Sequence, residues 1–401
     1  MFSKDTVVNN FLAFQVLSIF IINASFCFGH YVGVSYEMVS IVCKALVALL
    51  FVGVLFQHFK RIPSYVYLFT VATIIVAGLQ MALFPQIEQF SSTVVTFYVM
   101  CYTSYVVGSL ISNASDLRMR ILKVSYLCAL ISVVLVPLNA IGTIRLLNEW
   151  GNVGYSMGLG YACTIPAVFL FWNFFEKRKI LDLIAALTMV LCIISFGSRG
   201  PLLGLGVWIV FYILKNKKGK KGGLVFLIII AALVFLLFSN AILTSVGGIL
   251  HSMGIESRTI DLLFSGDETV HMSRRDEFHK VLLAQVNMHP LAIRGINAEY
   301  LVLETYAHSI IVEIIYQFGI LVGSFILLSI LGKSIKTFRL KYNEVTFDIV
   351  SIIEIFMITA LCQLMVSSSI WILPHFWLWL SLLKSYKMQM NYADRQRNRP
   401  L

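Results

Sequence analysis

Charge is what this 401-residue sequence has least of. Asp, Glu, Lys and Arg make up 13% of it, against 59% for the apolar residues, where an ordinary soluble domain carries about 25% charged and roughly 45–50% apolar residues. That scarcity excludes a water-soluble fold, because too little polar surface exists to cover so much apolar side chain. Cysteine chemistry has little footing either. The seven cysteines, at 27, 43, 101, 128, 163, 192 and 362, all fall in apolar stretches. No CxxC pair and no histidine at ligand spacing accompanies them, so neither a disulfide framework nor a zinc site is expected, and they read as small packing residues. Ionisable residues inside the apolar stretches reduce to Lys44, Glu313 and Glu354, fewer than a proton-driven transporter would keep. No internal repeat and no long central loop divides the chain into two halves, as happens in many transporters.

What the chain does have is a series of apolar runs. A span of the bilayer core needs about 20 residues, and runs near that length occur at 8–29, 38–57, 65–84, 92–112, 121–140, 155–175, 180–196, 200–214, 223–243, 307–330, 346–367 and 370–384. The expectation is an all-α integral membrane protein, one polytopic domain over 1–401 with about twelve transmembrane helices. The seventh and eighth runs are separated only by Phe196-Gly197-Ser198-Arg199-Gly200-Pro201. A break is expected there, because proline lacks a backbone donor and is best tolerated in the first turn of a new helix.

Lys and Arg number 31 and Asp and Glu 20, for a net charge of +11. In a soluble chain that excess would suggest nucleic acid as a partner; here its distribution gives it another meaning. With the N-terminus inside, the basic clusters Lys60-Arg61, Arg118 to Lys123, Lys177 to Lys179, Lys215 to Lys221, Lys333 to Lys341 and Lys384 to Arg399 share one side. The other side keeps Arg145, Arg199, Arg258, Arg274, Arg275, Lys280 and Arg294. Cytoplasmic loops carry the Lys and Arg excess, so both termini are expected in the cytoplasm, with the bilayer and not nucleic acid as the partner. The Met1 to Asp5 leader before the first run, with no convincing cleavage site, reads as a retained signal anchor.

The connections are short except for one large outer loop, 244–306, between the ninth and tenth spans. A long loop beside tight connections is usually functional. Within it Ser273-Arg274-Arg275-Asp276 fits a helix start, and Phe278, Val281, Leu282 and Val286 follow at helical spacing, predicting an amphipathic helix over 274–288. Pro290 stops it and Arg294-Gly295 begins a turn. The helix could equally be a plain lid on the bundle.

Two places could carry chemistry. Arg199 stands at the outer end of the seventh span, where snorkelling to headgroups is the plain reading. The sharper reading is phosphate capture: guanidinium presents a rigid fork of donors, Gly200 admits close approach, and the next helix offers free amides to an anion. The second place is Tyr306-Ala307-His308-Ser309 at the entry to the tenth span, followed by Glu313 and Gln317-Phe318-Gly319. His308 could be an ordinary surface or core residue, or a base whose proton affinity suits neutral pH.

Ser198-Arg199-Gly200 with Leu203, the Arg274-Arg275 helix ending before Pro290, and His308-Ser309 followed by Gly319 together resemble the O-antigen polymerase and O-antigen ligase superfamily of bacterial surface-polysaccharide enzymes. The position three beyond Gly319, often small in that family, is Val322, with Gly323 one further. The resemblance implies a GT-C-like membrane glycosyltransferase of the bacterial inner membrane that works without a metal or other cofactor and inverts the anomeric centre at the periplasmic face. The donor would be a glycan on undecaprenyl pyrophosphate, and the acceptor another glycan or lipid A-core, with a chain-length regulator and a flippase as further partners. Arg199 and Arg275 would bind the pyrophosphate and stabilise its departure; His308 would position or deprotonate the acceptor hydroxyl. Arg274, Arg294 and Gly200 would complete the substrate-binding set. Ser367-Ser368-Ser369-Ile370-Trp371 with Phe376-Trp377 tips the expectation from ligase to polymerase. A sugar or lipid transporter is the reading from another class.

Overall fold

The computed structural model describes residues 4–146, 156–196, 200–215, 275–341 and 346–397. Among the described residues the regular structure is entirely helical. In chain order the helices are α1 (Lys4–Val32), α2 (Tyr36–His58), α3 (Ser64–Leu83), α4 (Gln89–Gly108), α5 (Ala114–Leu146), α6 (Met157–Lys177), α7 (Ile180–Ser195), α8 (Gly200–Lys215), α9 (Arg275–Met288), the single turn α10 (Tyr300–Leu303), α11 (Ile310–Phe338), α12 (Phe347–Val366) and α13 (Pro374–Arg397). Eight of the described helices are long and apolar enough to cross a membrane: α1 to α6, α11 and α12. α7 and α8 are apolar but shorter. The predicted ninth span, 223–243, and the first part of the large loop, 244–274, lie outside the described residues. The last predicted span, 370–384, overlaps α13, which begins at Pro374 and is not among these eight.

The chain divides into two compact units, Met1–Gln15 with Ile41–Arg120 and Ser273–Leu401, and Val16–Ser40 with Ile121–Met272. In the first unit α3 leaves Leu68 70% exposed and Ile74 58% exposed, a display of aliphatic surface that suits lipid and not water. Its inner side joins an aromatic cluster in which Phe69 packs on Tyr105 at 4.0 Å and on Trp377 at 5.5 Å. α4 carries a π-helical turn, Phe97–Tyr102. This turn is anchored through the Met100 carbonyl, which accepts from Gln15 Nε2 at 2.7 Å and Ser104 Oγ at 2.6 Å. α13 runs close to α4 because Gly108 has no side chain: a Cβ there would sit 2.7 Å from Leu378 Cδ1. Ser381 Oγ, from α13, donates to the Tyr105 carbonyl at 2.5 Å.

In the second unit α6 is buried over most of its length and pairs with α7 as a hairpin turning at Arg178, whose φ of 56° ends α6 in the left-handed conformation. The fully buried Asp182 accepts from Asn173 Nδ2 at 2.7 Å and from the Tyr126 hydroxyl. α7 ends at Ser195 and α8 starts at Gly200, with Pro201 in its first turn.

Candidate functional site

The predicted amphipathic helix is α9, over Arg275–Met288. Leu282 and Val286 are buried in a cluster with Ile87, Phe90, Ile296, Ala298, Ala307, Val312 and Tyr316, each such side chain contributing about 1.5–3 kcal/mol on leaving water. Val281 turns outward instead, at 43% exposure. The turn of α9 before Leu282 carries Arg275, Phe278 and His279, and the chain returns to them at Tyr306–Ser309.

There His308 sits just before α11, with φ of 56°. Its ring packs against Tyr306 at 4.1 Å, tilted by 44°, and stacks with Phe278 at 6.2 Å with the planes 16° apart. His279 Nε2 donates to the Ala307 carbonyl at 2.9 Å, which ties α9 to the backbone beside His308. The His308 Nδ1 atom is buried and has no hydrogen-bond partner among the described residues. Burial first, then the positive charge of Arg275, then His279, hold the His308 imidazole down at about 4. At neutral pH it is therefore uncharged, with a buried, unengaged ring nitrogen near a cation. Sequence reasoning did not single out His279. Its signal is its place one helical turn beyond Arg275, which puts the two on one face.

Arg294 has a different surrounding. Its guanidinium donates to the carbonyls of Gln285 at 2.8 Å, His289 at 3.1 Å, Ala292 at 3.2 Å and Tyr316 at 3.3 Å, and lies 5.0 Å from the centre of the Tyr316 ring. Its donors are turned to the protein's own backbone, and it braces the loop.

That brace belongs to an interruption in α11. Gly319 has φ of 71° and ψ of 169°, so the helix breaks there. The freed Gln317 carbonyl accepts from the amides of Arg294 at 2.9 Å and Gly295 at 3.2 Å, and the Ile320 amide donates to the Pro290 carbonyl at 2.7 Å. The 290–299 loop thus caps both ends of the break. A Cβ at Gly319 would press on the Leu291 carbonyl carbon at 2.9 Å, and one at Gly323 on the Ile314 carbonyl oxygen at 2.9 Å. Gly295, with φ of 94°, passes under Phe84, and Gln80 of α3 clasps the Ile296 backbone by two bonds of 2.9 and 3.1 Å. Backbone interrupted within a spanning helix is tolerated where protein buries it, and often marks a site.

Beneath the break lie two carboxyls. Glu299, fully buried, and Glu313, 1% exposed, share one amide: Gln317 Nε2 donates to both Glu299 oxygens at 2.9 and 3.1 Å and stands 3.4 Å from Glu313 Oε1. Ser369 Oγ donates to Glu313 at 2.5 Å, and Trp371 Nε1 fixes Gln317 by donating to its oxygen at 3.0 Å. Burial pushes the Glu299 carboxyl up to about 7. Glu299 sits in the loop with no motif to mark it, and sequence reasoning passed over it.

Of the residues expected to act together, Arg275 and His308 meet on the first unit, and Arg294 lies under the same loop. Gly200 belongs to the second unit, where the Tyr161 hydroxyl closes against it. Arg199 and Arg274 lie outside the described residues. Among the described residues no group of three His, Cys, Asp or Glu side chains is placed to hold a metal ion. Comparison of the chain with protein-family models, with characterised proteins and with solved structures finds no match.

Proposed function

We propose that the protein is an inverting glycosyltransferase of the bacterial inner membrane that polymerises repeat units carried on undecaprenyl pyrophosphate into a surface polysaccharide, O-antigen or capsule. The observation that carries this reading is the uncharged His308 with its bare Nδ1 beside Arg275. In the reaction the acceptor hydroxyl attacks the anomeric carbon, its proton passes to His308 Nδ1, and the carbon–oxygen bond to pyrophosphate breaks. The leaving group departs as an anion held by Arg275, the work that the family resemblance also assigns to Arg199 and Arg274. Pyrophosphate is a good leaving group, so placed cations suffice to stabilise its charge. The same charges arm the base: in the empty site Arg275 suppresses protonation of His308, and an anionic pyrophosphate offsetting that charge raises the imidazole's proton affinity towards the working pH. In this reading the chain spans the membrane twelve times in a GT-C-like arrangement, with both termini in the cytoplasm and the 244–306 loop outside.

A proton-linked transporter is the second reading, favoured by the break in α11 above two buried carboxyls. The test is the glycan pattern of a host that makes lipopolysaccharide, with the gene deleted. Core carrying a single repeat unit supports a polymerase, core carrying none supports an O-antigen ligase, and an unaltered ladder removes both.

A further inference from the structure

The buried acid at the broken span has no part in the reaction just described. We propose that Glu299 is a proton-binding site that latches the 290–299 loop onto the interrupted α11, closing the loop when the proton is bound and loosening it when the proton leaves. The geometry points to this in three ways. Glu299 is wholly enclosed and its carboxyl faces a second carboxyl, Glu313, across one shared amide. Among the described residues Glu313 Oε2 is buried with no side-chain hydrogen-bond partner. Among the described residues neither acid has an ion-pair partner. Two such carboxyls cannot both hold a charge there without strong repulsion. The groups facing the pair reinforce the point. Tyr300 of α10, Tyr306 and Tyr316 stand around it, with burial pushing Tyr300 up to about 12. α3 presents the neutral Gln80, and the 369–371 turn presents Ser369 and Trp371. Arg294, in the same loop, is turned to four carbonyls.

The latch acts on the backbone because Glu299 sits at the end of the segment that caps the break. Its carboxyl grips Gln317, whose own carbonyl receives the Arg294 and Gly295 amides. When Glu299 ionises, charge is placed in the apolar packing and opening of the loop, which returns the carboxyl to water, becomes easier. The sign follows from linkage. Burial raises Glu299 from 4.5 to about 7, so the closed loop binds the proton more tightly than the open one and closure weakens as pH rises through that window, levelling off above it. Between pH 5 and 7 the opening equilibrium should grow about fortyfold.

The full-length protein in lipid nanodiscs, followed by hydrogen exchange of the 290–299 peptide and corrected for intrinsic exchange, tests this. The expected result is that fortyfold loss of protection in the wild type and a flat profile in Glu299→Gln, which keeps the shape without the titration. A flat wild-type profile, or the same pH dependence in Glu299→Gln, overturns the proposal. Infrared difference spectra of the wild type between pH 5.5 and 8.5 give a second reading that needs no variant: loss of a protonated carboxyl band supports the site, and its absence overturns it.

Discussion

Replacing Arg294 separates a brace from a phosphate ligand. Its guanidinium makes four bonds to backbone carbonyls, of which those to Gln285 and His289, at 2.8 and 3.1 Å, are the shortest. Hydrogen bonds from a charged group contribute about 1.5–3 kcal/mol each. Arg294 is only half-buried, so the lower end applies to the two short bonds, and the two longer ones add little. The Tyr316 ring beneath it adds about 0.5–1 kcal/mol. The sum is about 3–4 kcal/mol for Arg294→Ala, and at about 2–4 °C per kcal/mol for a unit of 150–250 residues the unfolding midpoint should fall by roughly 6–16 °C. Arg294→Lys should recover only part of this, since one ammonium cannot span carbonyls arranged for a planar fork. Thermal unfolding in detergent or nanodiscs gives the midpoint, and hydrogen exchange of 290–299 gives the local effect. A normal midpoint and normal loop protection in Arg294→Ala, with glycan synthesis lost, would refute the bracing role and return Arg294 to the substrate.

Substitutions at three other positions follow from the same geometry. Gly319→Ala forces a side chain into a backbone region open almost only to glycine, at about 1–3 kcal/mol, and against the Leu291 carbonyl; a lowered unfolding midpoint is expected, and an unchanged one would mean that α11 runs straight. Arg275→Ala removes a charge that holds His308 down, so the acid limb of the pH–activity profile should move to higher pH. Arg275→Lys should keep the limb where it is while losing turnover, because lysine lacks the fork; equal limbs in the wild type and Arg275→Ala would show that the two residues are not coupled. His308 itself binds fewer protons folded than unfolded between about 4 and 6.5, so stability should rise with pH across that window and decline as pH falls through it. His308→Asn should flatten that dependence in acid unfolding curves, and an unaltered slope would place the titration elsewhere.

The lipid-facing helices were legible because only apolar length matters to them: α3 needs no partner to account for Leu68 and Ile74. α9 was legible too, since Leu282 and Val286 recur at the helical period against a polar face. The interruption of α11 was hidden. Gly319 stands in an otherwise unbroken apolar run, and glycine is common in spanning helices that do not break. What breaks this one is the 290–299 loop, whose Arg294 and Pro290 cap the two ends from 23 and 30 residues away, a pairing that no local pattern displays. Glu299 was hidden for the same reason, as its burial depends on Gln317 of another segment. The bracing contacts of Arg294 were hidden as well, because an arginine in a polar loop reads alike whether it faces a substrate or its own backbone.

The central claim is that this chain forms a glycosidic bond at Arg275 and His308. The direct measurement is reconstitution of the purified protein with a defined undecaprenyl-pyrophosphate oligosaccharide, with lipid-linked products sized by gel or mass spectrometry. The wild type should yield glycans of two or more repeat units with release of undecaprenyl pyrophosphate, and His308→Ala, inserted at the same level, should yield none. Absence of any new glycosidic bond with the wild type under conditions that support a known polymerase, or equal product from His308→Ala, would contradict it.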